Sequence, residues 1–284
     1  MVLLADHRLS RMIPSPSSGY IFKRQSLLVC CFSQPVDLVA DTHIFARGAN
    51  GSQFLVYSMT FEATGDLAMI LPLPVPPNPR DDAVRFINLE RYPDFFADLR
   101  RGFPTPPAPR LALAVGAEEP TLRVHDVGSF EASFVPQTTD FDRLDERFRI
   151  PEEVWSRLPM YNNSGFAVFK LKGGSRRQDI HPMAFEFPRR NPALLYFPTV
   201  HIHDGEAHLH ANFDHRLYCQ ASPELKDYLG GWAESYGMAS AFMDVDRAEG
   251  IIGPDDPCWR RTLRGRRENV DTLIGESGNV PIAI

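Results

Sequence analysis

Histidine is concentrated in one short stretch of this chain. Five of the nine histidines lie between Thr199 and His215. Histidine is the commonest metal ligand in proteins and the usual general base near neutral pH. The first hypothesis from the sequence is therefore that this stretch carries chemistry.

The Asp204-Gly205 step predicts a two-residue hairpin turn, because both residue types accept the positive φ of a type I′ turn. Side chains alternate between the two faces of a strand, so the turn fixes which residues share a face. This register sets His201 opposite His208 and Thr199 opposite His210. It predicts one shared face made of four histidines and a carboxylate: His201, His203, Glu206, His208 and His210.

Imidazole nitrogens on facing strands can reach a common ion at about 2.0–2.1 Å, so the four histidines predict a metal site. Nitrogen ligands favour a divalent transition metal, zinc first, over Mg²⁺ or Ca²⁺. Glu206 would then act as a base on metal-bound water in a metal-assisted hydrolysis. The alternative is a non-catalytic interaction protein in which the histidines form only the polar side of the hairpin.

A second alternative is an N-terminal-Cys hydrolase that uses Cys31. Such enzymes expose the cysteine by removing the preceding residues, and the freed α-amine acts as the base. Arg47 and Asn50 follow at a spacing similar to the Cys–Arg–Asp spacing of the cholylglycine-hydrolase family, although Asn50 stands where an acid belongs. The competing interpretation is that Cys31 is a small apolar residue in a buried strand.

Net charge and composition limit the classes of partner that the protein is expected to bind and the location that is expected for it. A net charge of −6 over 284 residues argues against nucleic-acid binding, which leaves a small molecule or a protein as the partner. The sequence has no run of 18 apolar residues, so no membrane-spanning helix is predicted. The four cysteines show no disulfide or zinc pattern, which favours a cytoplasmic protein. Export would be favoured only if translation began nearer Lys23.

The surrounding elements are mostly strands. Asn50-Gly51 marks a hairpin. The prolines at 72, 74 and 76 remove donors from one edge, which predicts either an edge strand or a strand that leaves the sheet. Pro93 and Gly102 bracket a helix. Helical stretches are also predicted from Asp140 to about Phe148 and from Pro151 to Leu158. A further helix should begin at Ser222, and it either ends or bends at Gly230-Gly231 or continues to about Arg247. The pattern predicts an α+β fold, rich in antiparallel strands, with three or four inserted helices.

Three regions are expected along the chain. Residues 1–25 form a loosely ordered tail, residues 26–252 form a single domain, and residues 253–284 form an irregular, arginine-rich tail. A proline-rich stretch at 104–109 could divide the domain into two lobes.

The segments Cys31–Asp37, Phe61–Asp66 and Ala68–Pro76, with Phe45-Ala46, resemble an uncharacterised bacterial domain family. Its members have a cysteine-rich start, a Pro-Val-Asp and a strand ending Leu-Pro-Val-Pro. The resemblance covers residues 30–76. It implies no known activity and transfers no functional residue.

Overall fold

The structure is a computed structural model that describes residues 30–34, 36–103, 130–150, 152–202 and 208–275. Strands dominate, as predicted. They are β1 (Cys30–Phe32), β2 (Leu38–Ala49), β3 (Ser52–Ala63), β4 (Leu67–Leu73), β5 (Arg85–Asn88), β6 (Phe130–Val135), β7 (Gly165–Leu171), β8 (Gly174–Asp179), β9 (Met183–Pro188), β10 (Leu194–Phe197), β11 (His201–Ile202), β12 (His210–Gln220), β13 (Ala233–Met238), β14 (Pro257–Glu268) and β15 (Thr272–Gly275).

Helical structure is limited to short pieces in place of the three or four helices predicted. The two α-helices are α1 (Phe95–Arg101) and α2 (Glu152–Ser156). The 3₁₀ segments are Thr138–Arg143, Glu146–Phe148, Pro159–Tyr161, Pro223–Tyr228, Ala239–Ala241 and Asp246–Ala248. None of the helices in the described part of the chain has the length and apolarity to cross a membrane.

The strands form two large mixed sheets and a small one. The eight-stranded sheet has the order β13-β14-β12-β2-β3-β9-β5, with β8 also paired to β3. The five-stranded sheet has the order β11-β1-β4-β7-β6, and β10 pairs with β15. The pairs β2–β12 and β1–β11 are parallel, so the antiparallel prediction fails there. Parallel pairing of strands so far apart in the chain leaves no local signal in the sequence.

Both large sheets are covered on both faces. The central core between them includes Leu55, Phe169 and Leu217. Helix α1 and residues 239–252 cover the second face of the eight-stranded sheet, and residues 138–150 and 154–161 cover the second face of the five-stranded one. Burial on two faces explains why every residue of β4 is buried, since such strands read as continuous apolar runs.

Two local predictions are confirmed. Strands β2 and β3 form the predicted hairpin, and Asn50 and Gly51 in its turn have φ values of 49° and 81°. Helix α1 ends at Gly102 as expected, and it buries an apolar side that consists of Phe95, Phe96 and Leu99.

Of the two alternatives for this strand, the edge strand is wrong, because β4 lies between β1 and β7. The strand ends at Leu73, before Pro74 and Pro76. Strand β1 pairs only with Met69 and Ile70, so the Pro72 end extends beyond it. The Pro72 carbonyl accepts a hydrogen bond from Tyr196 Oη at 2.9 Å. In an antiparallel strand the N–H and C=O of one residue point to the same side. Because the Pro72 carbonyl points to Tyr196 rather than to β7, the edge that lacks proline N–H groups also faces away from β7.

The predictions for the C-terminal part were also wrong. Residues 257–268 and 272–275 form β14 and β15 where an irregular tail was expected, and β14 pairs with both β12 and β13. The expected helix is only the 3₁₀ segment at Pro223–Tyr228, which is followed by β13. Gly231, with φ of 80°, lies between the two. The expected tail 1–25 and linker 104–109 lie outside the described residues.

Candidate functional site

The two strands expected to form the histidine hairpin do not pair with each other, because they belong to different sheets. His201 pairs in parallel with Cys30 of the five-stranded sheet, whereas His210 pairs with Glu268 of the eight-stranded sheet. The predicted pairing of Thr199 with His210 and of His201 with His208 is therefore wrong. Strands β1 and β14, which are remote in sequence, take these positions.

The three predicted ligands that the structure describes, His201, His208 and His210, do not share a face. His201 is 1% exposed, whereas His208 and His210 are exposed. His203 and Glu206 lie outside the described residues. In the part of the chain that the structure describes, no three His, Cys, Asp or Glu side chains come together to hold a metal ion.

Asn269 instead fixes the two ends of this stretch. Its Oδ1 accepts from the His201 backbone N–H at 2.8 Å, and its Nδ2 donates to the carbonyls of His201 and His208 at 2.9 and 3.0 Å. Asn269 is fully buried. The role of Asn269 could not be predicted from the sequence, because a single Asn carries no spacing signal.

A buried carboxylate anchors the chain just before His201. Asp271 accepts hydrogen bonds from Tyr161 Oη at 2.7 Å and from the backbone N–H groups of Thr199 and Val200 at 2.8 and 3.0 Å. It also lies 2.9 Å from Tyr196 Oη, whose single proton it shares with the Pro72 carbonyl. Burial raises the pKa of Asp271, and these hydrogen bonds only partly oppose the shift. The network positions β11 beneath the neighbouring sheet.

Cys31 lies in β1 and is 1% exposed, within the outer apolar cluster of the five-stranded sheet. Arg47 lies in the eight-stranded sheet, where its guanidinium donates to the carbonyls of Gly250 and Ile251 at 3.1 Å. Asn50 lies in the β2–β3 turn. The structure thus places Cys31 and Arg47 in different sheets.

One candidate site among the described residues is a cleft of about 190 Å³ between α1 and the eight-stranded sheet. Strands β2 and β3 supply one wall, the start of α1 a second, and the residues after β8 a third. The polar side chains that line it are Asp41, His43, Ser58, Thr60, Asp94, Arg100 and His181.

A β-bulge shapes the floor of this cleft. The β2–β3 register shifts between Ala40 and His43, and Asp41 in the bulge has φ of 52°. A non-glycine residue with positive φ is uncommon, and bulges often re-aim side chains near functional sites. Here the bulge brings the Asp41 carboxylate into an ion pair with Arg216.

His43 is held in one orientation. Its Nδ1 lies 2.9 Å from the Asp41 carbonyl, which assigns the proton to Nδ1 and leaves Nε2 as the acceptor. Arg216 and Arg100 approach Nε2 at 3.2 and 3.5 Å. Burial lowers the pKa of His43 to about 4, against the opposing charge of Asp41 and with the help of both arginines.

The two arginines differ in whether they form an ion pair with a carboxylate. Arg216 pairs with Asp41, whose pKa lies below its usual range because His43 and Arg216 outweigh the effect of burial. Arg100 is exposed at the wall of the cleft, and no carboxylate among the described residues lies within 4.0 Å of its guanidinium. The cleft therefore offers one guanidinium that forms no ion pair with a described carboxylate, and only the longer-range attraction of Asp41 acts on its charge.

This cleft could not be predicted from the sequence. Asp41 and His43 are two positions apart, which is a weak signal for neighbouring side chains on a strand. Arg100 and Arg216 lie far away along the chain and meet His43 only through the packing of α1 and β12 against β2.

No model of a known protein family and no curated protein matches this chain. Among solved structures, the crystal structure of baculovirus P35 is similar at 12% identity and a TM-score of 0.49, covering 87% of this chain and 99% of that one. The caspase-8/P35 complex is similar at 11% identity and a TM-score of 0.43, covering 83% of this chain and 96% of that one. These values are too low to transfer the role of any residue.

Proposed function

We propose that this protein is a binding protein that takes a small carboxylate-bearing molecule in the cleft between α1 and the eight-stranded sheet. The observation that carries the proposal is Arg100, whose guanidinium forms no ion pair with a described carboxylate and lies 3.5 Å from His43 Nε2 at the cleft wall. A guanidinium presents a planar fork of donors that suits a carboxylate. The hydroxyls of Ser58 and Thr60 line the same cleft.

The charges favour a monoanion. Asp41 and Asp94 also line the cleft, so a dianion would meet repulsion that a single carboxylate largely avoids. Arg216 is already paired with Asp41, which leaves Arg100 as the ligand-facing cation.

Binding is favoured over catalysis by the state of His43. With its pKa lowered to about 4, this imidazole is a poor base at neutral pH, since an effective general base has a pKa near the working pH. A neutral, fixed imidazole is suited to holding Arg100 and Arg216 in place.

Titration with acetate, followed by NMR of the His43 ring, tests the proposal. A saturable shift is expected, and Arg100→Gln should weaken binding about tenfold or more, because a charge-assisted hydrogen bond is lost. Arg157→Gln, an exposed arginine on the opposite layer, is the matched control. An unchanged affinity in Arg100→Gln, or tighter binding of inorganic phosphate than of acetate, would overturn the proposal.

A further inference from the structure

Strand β14 has a free side over most of its length. One side pairs with β12 from Trp259 to Glu268, whereas on the other side the pairing with β13 reaches only as far as Arg260. No other described strand pairs with β14. The free side of residues 261–268, which we call the open edge, therefore extends for roughly 25 Å without a described strand beside it.

The open edge is strongly basic. Its eight residues include one carboxylate, Glu268, and four arginines, all of them exposed. The arginines are Arg261, Arg264, Arg266 and Arg267. Within the described residues, Arg264 forms an ion pair with Asp214 at 3.8 Å, and no carboxylate lies within 4.0 Å of the other three guanidiniums. This local positive charge contrasts with the net charge of −6 on the whole chain.

The arginines of the open edge serve both faces of the sheet. Side chains alternate along a strand, so Arg264 and Arg266 lie on one face and Arg261 and Arg267 on the other. The Nε of Arg267 donates to the Arg264 carbonyl at 3.1 Å, which holds this side chain along the strand. An extended chain beside the edge alternates its side chains in the same way. Carboxylates at successive positions of such a chain would therefore reach arginines on both faces.

We propose that the open edge of β14 binds an extended acidic segment of a partner protein. In this mode of recognition a peptide lies beside a free strand, main-chain hydrogen bonds contribute affinity, and side chains select the sequence. A guanidinium suits this selection because its fork of donors matches a carboxylate. The site uses none of the residues that line the cleft, so it is independent of the function proposed above.

Charge favours this occupant over two others. Pairing the open edge with that of a second copy would set arginines against arginines, and like charges on facing strands are destabilising. A nucleic acid would meet the negative charge of the whole chain, and residues 261–268 contain no aromatic side chain on which a base could stack. Charged side chains also protect free edges from unwanted pairing, but that role alone predicts no ligand.

Fluorescence polarisation with a labelled eight-residue peptide of six glutamates and two threonines tests the proposal on the full chain. We expect saturable binding that weakens as salt is added, because exposed charges are screened. The same peptide with glutamine in place of glutamate should bind at least tenfold more weakly.

The double variant Arg264→Gln with Arg266→Gln should weaken binding of the acidic peptide roughly three- to tenfold, because two exposed ion pairs are lost. Arg91→Gln with Arg157→Gln is the matched control, since it removes the same charge from two exposed positions outside β14. It should change the affinity by less than about twofold.

Hydrogen exchange of the wild-type protein locates the peptide without any substitution. Backbone amides within residues 261–268 should exchange more slowly when the acidic peptide is added. Amides of β5, at the opposite end of the same sheet, should exchange at an unchanged rate.

Four outcomes would overturn the inference. The first is an acidic peptide that does not bind, which would leave the arginines with a protective role alone. The second is equal weakening in the two double variants. The third is slower exchange at β5 instead of at residues 261–268. The fourth is an eight-nucleotide oligothymidylate that binds more tightly than the acidic peptide, which would indicate a nucleic-acid surface.

Discussion

Buried neutral histidines link the stability of this protein to pH. The pKa values of His43 and His215 are lowered to about 4 and about 3, mainly by burial, whereas an unfolded chain has a value of 6.5. Between these values the unfolded state binds more protons than the folded state. Stability is therefore complete above pH 6.5 and falls as the pH decreases toward 4. Asp271 opposes this trend in acid, because its raised pKa favours proton uptake by the folded state.

We expect His215→Phe to reduce this dependence. From pH 7 to pH 5 the contribution of His215 to the free energy of unfolding should fall by about 2 kcal/mol in the wild type, and the variant should not show this loss. Urea unfolding of the wild type and of His215→Phe at the two pH values, with a chelator present, measures the free energy of unfolding. The contribution of Asp271 cancels in the comparison, because both proteins contain this residue. His210→Gln should behave like the wild type. Equal pH slopes for wild type and His215→Phe would contradict the assignment.

At the scale of elements, Asn269 connects β11 to the start of β12. Asn269→Ala would leave the His201 N–H and the carbonyls of His201 and His208 without their partner. Each buried group left unpaired costs about 1–3 kcal/mol, so a loss of roughly 2–4 kcal/mol is expected after partial relaxation. Urea unfolding measures the loss, and hydrogen exchange at the His201 amide should accelerate.

The control for this prediction is Asn162→Ala, because Asn162 is exposed. It should change stability by no more than about 0.5 kcal/mol. A His201 amide that exchanges at the wild-type rate in Asn269→Ala would show that the side chain does not hold this segment.

Some elements could be predicted from local sequence and others could not. The Asn50-Gly51 turn and helix α1 follow from residues adjacent in the chain, because turn and capping preferences are local. Strand β14 was missed because its arginines resemble a solvated tail. In the sheet most of them point to solvent, while Cys258 and Leu263 are buried.

At the scale of the whole molecule, β14 and β15 complete the fold. Strand β14 pairs with β12 along ten residues and joins β13 to the sheet, and Asp271 follows it. A chain ending at Ile252, the predicted domain boundary, would lose these ladders and the buried carboxylate network.

We expect the 1–252 chain to lack a cooperative unfolding transition, whereas a chain ending at Gly275 should unfold like the full-length protein. Circular dichroism during thermal and urea unfolding distinguishes the two. A cooperative transition of wild-type midpoint in the 1–252 chain would show that β14 is dispensable.

The amino-acid sequence by itself determined the strand-rich character, the first hairpin, helix α1 and the presence of a histidine-dense segment. These depend on alternation, turn chemistry and composition, which act over a few residues. Only the tertiary structure decided which histidines meet. His43 meets Arg100 and Arg216, and His201 meets His215, through contacts between strands and helices remote in sequence. A short-range pattern cannot contain this information, because strand pairing is chosen by burial over the whole sheet rather than by neighbours in the chain.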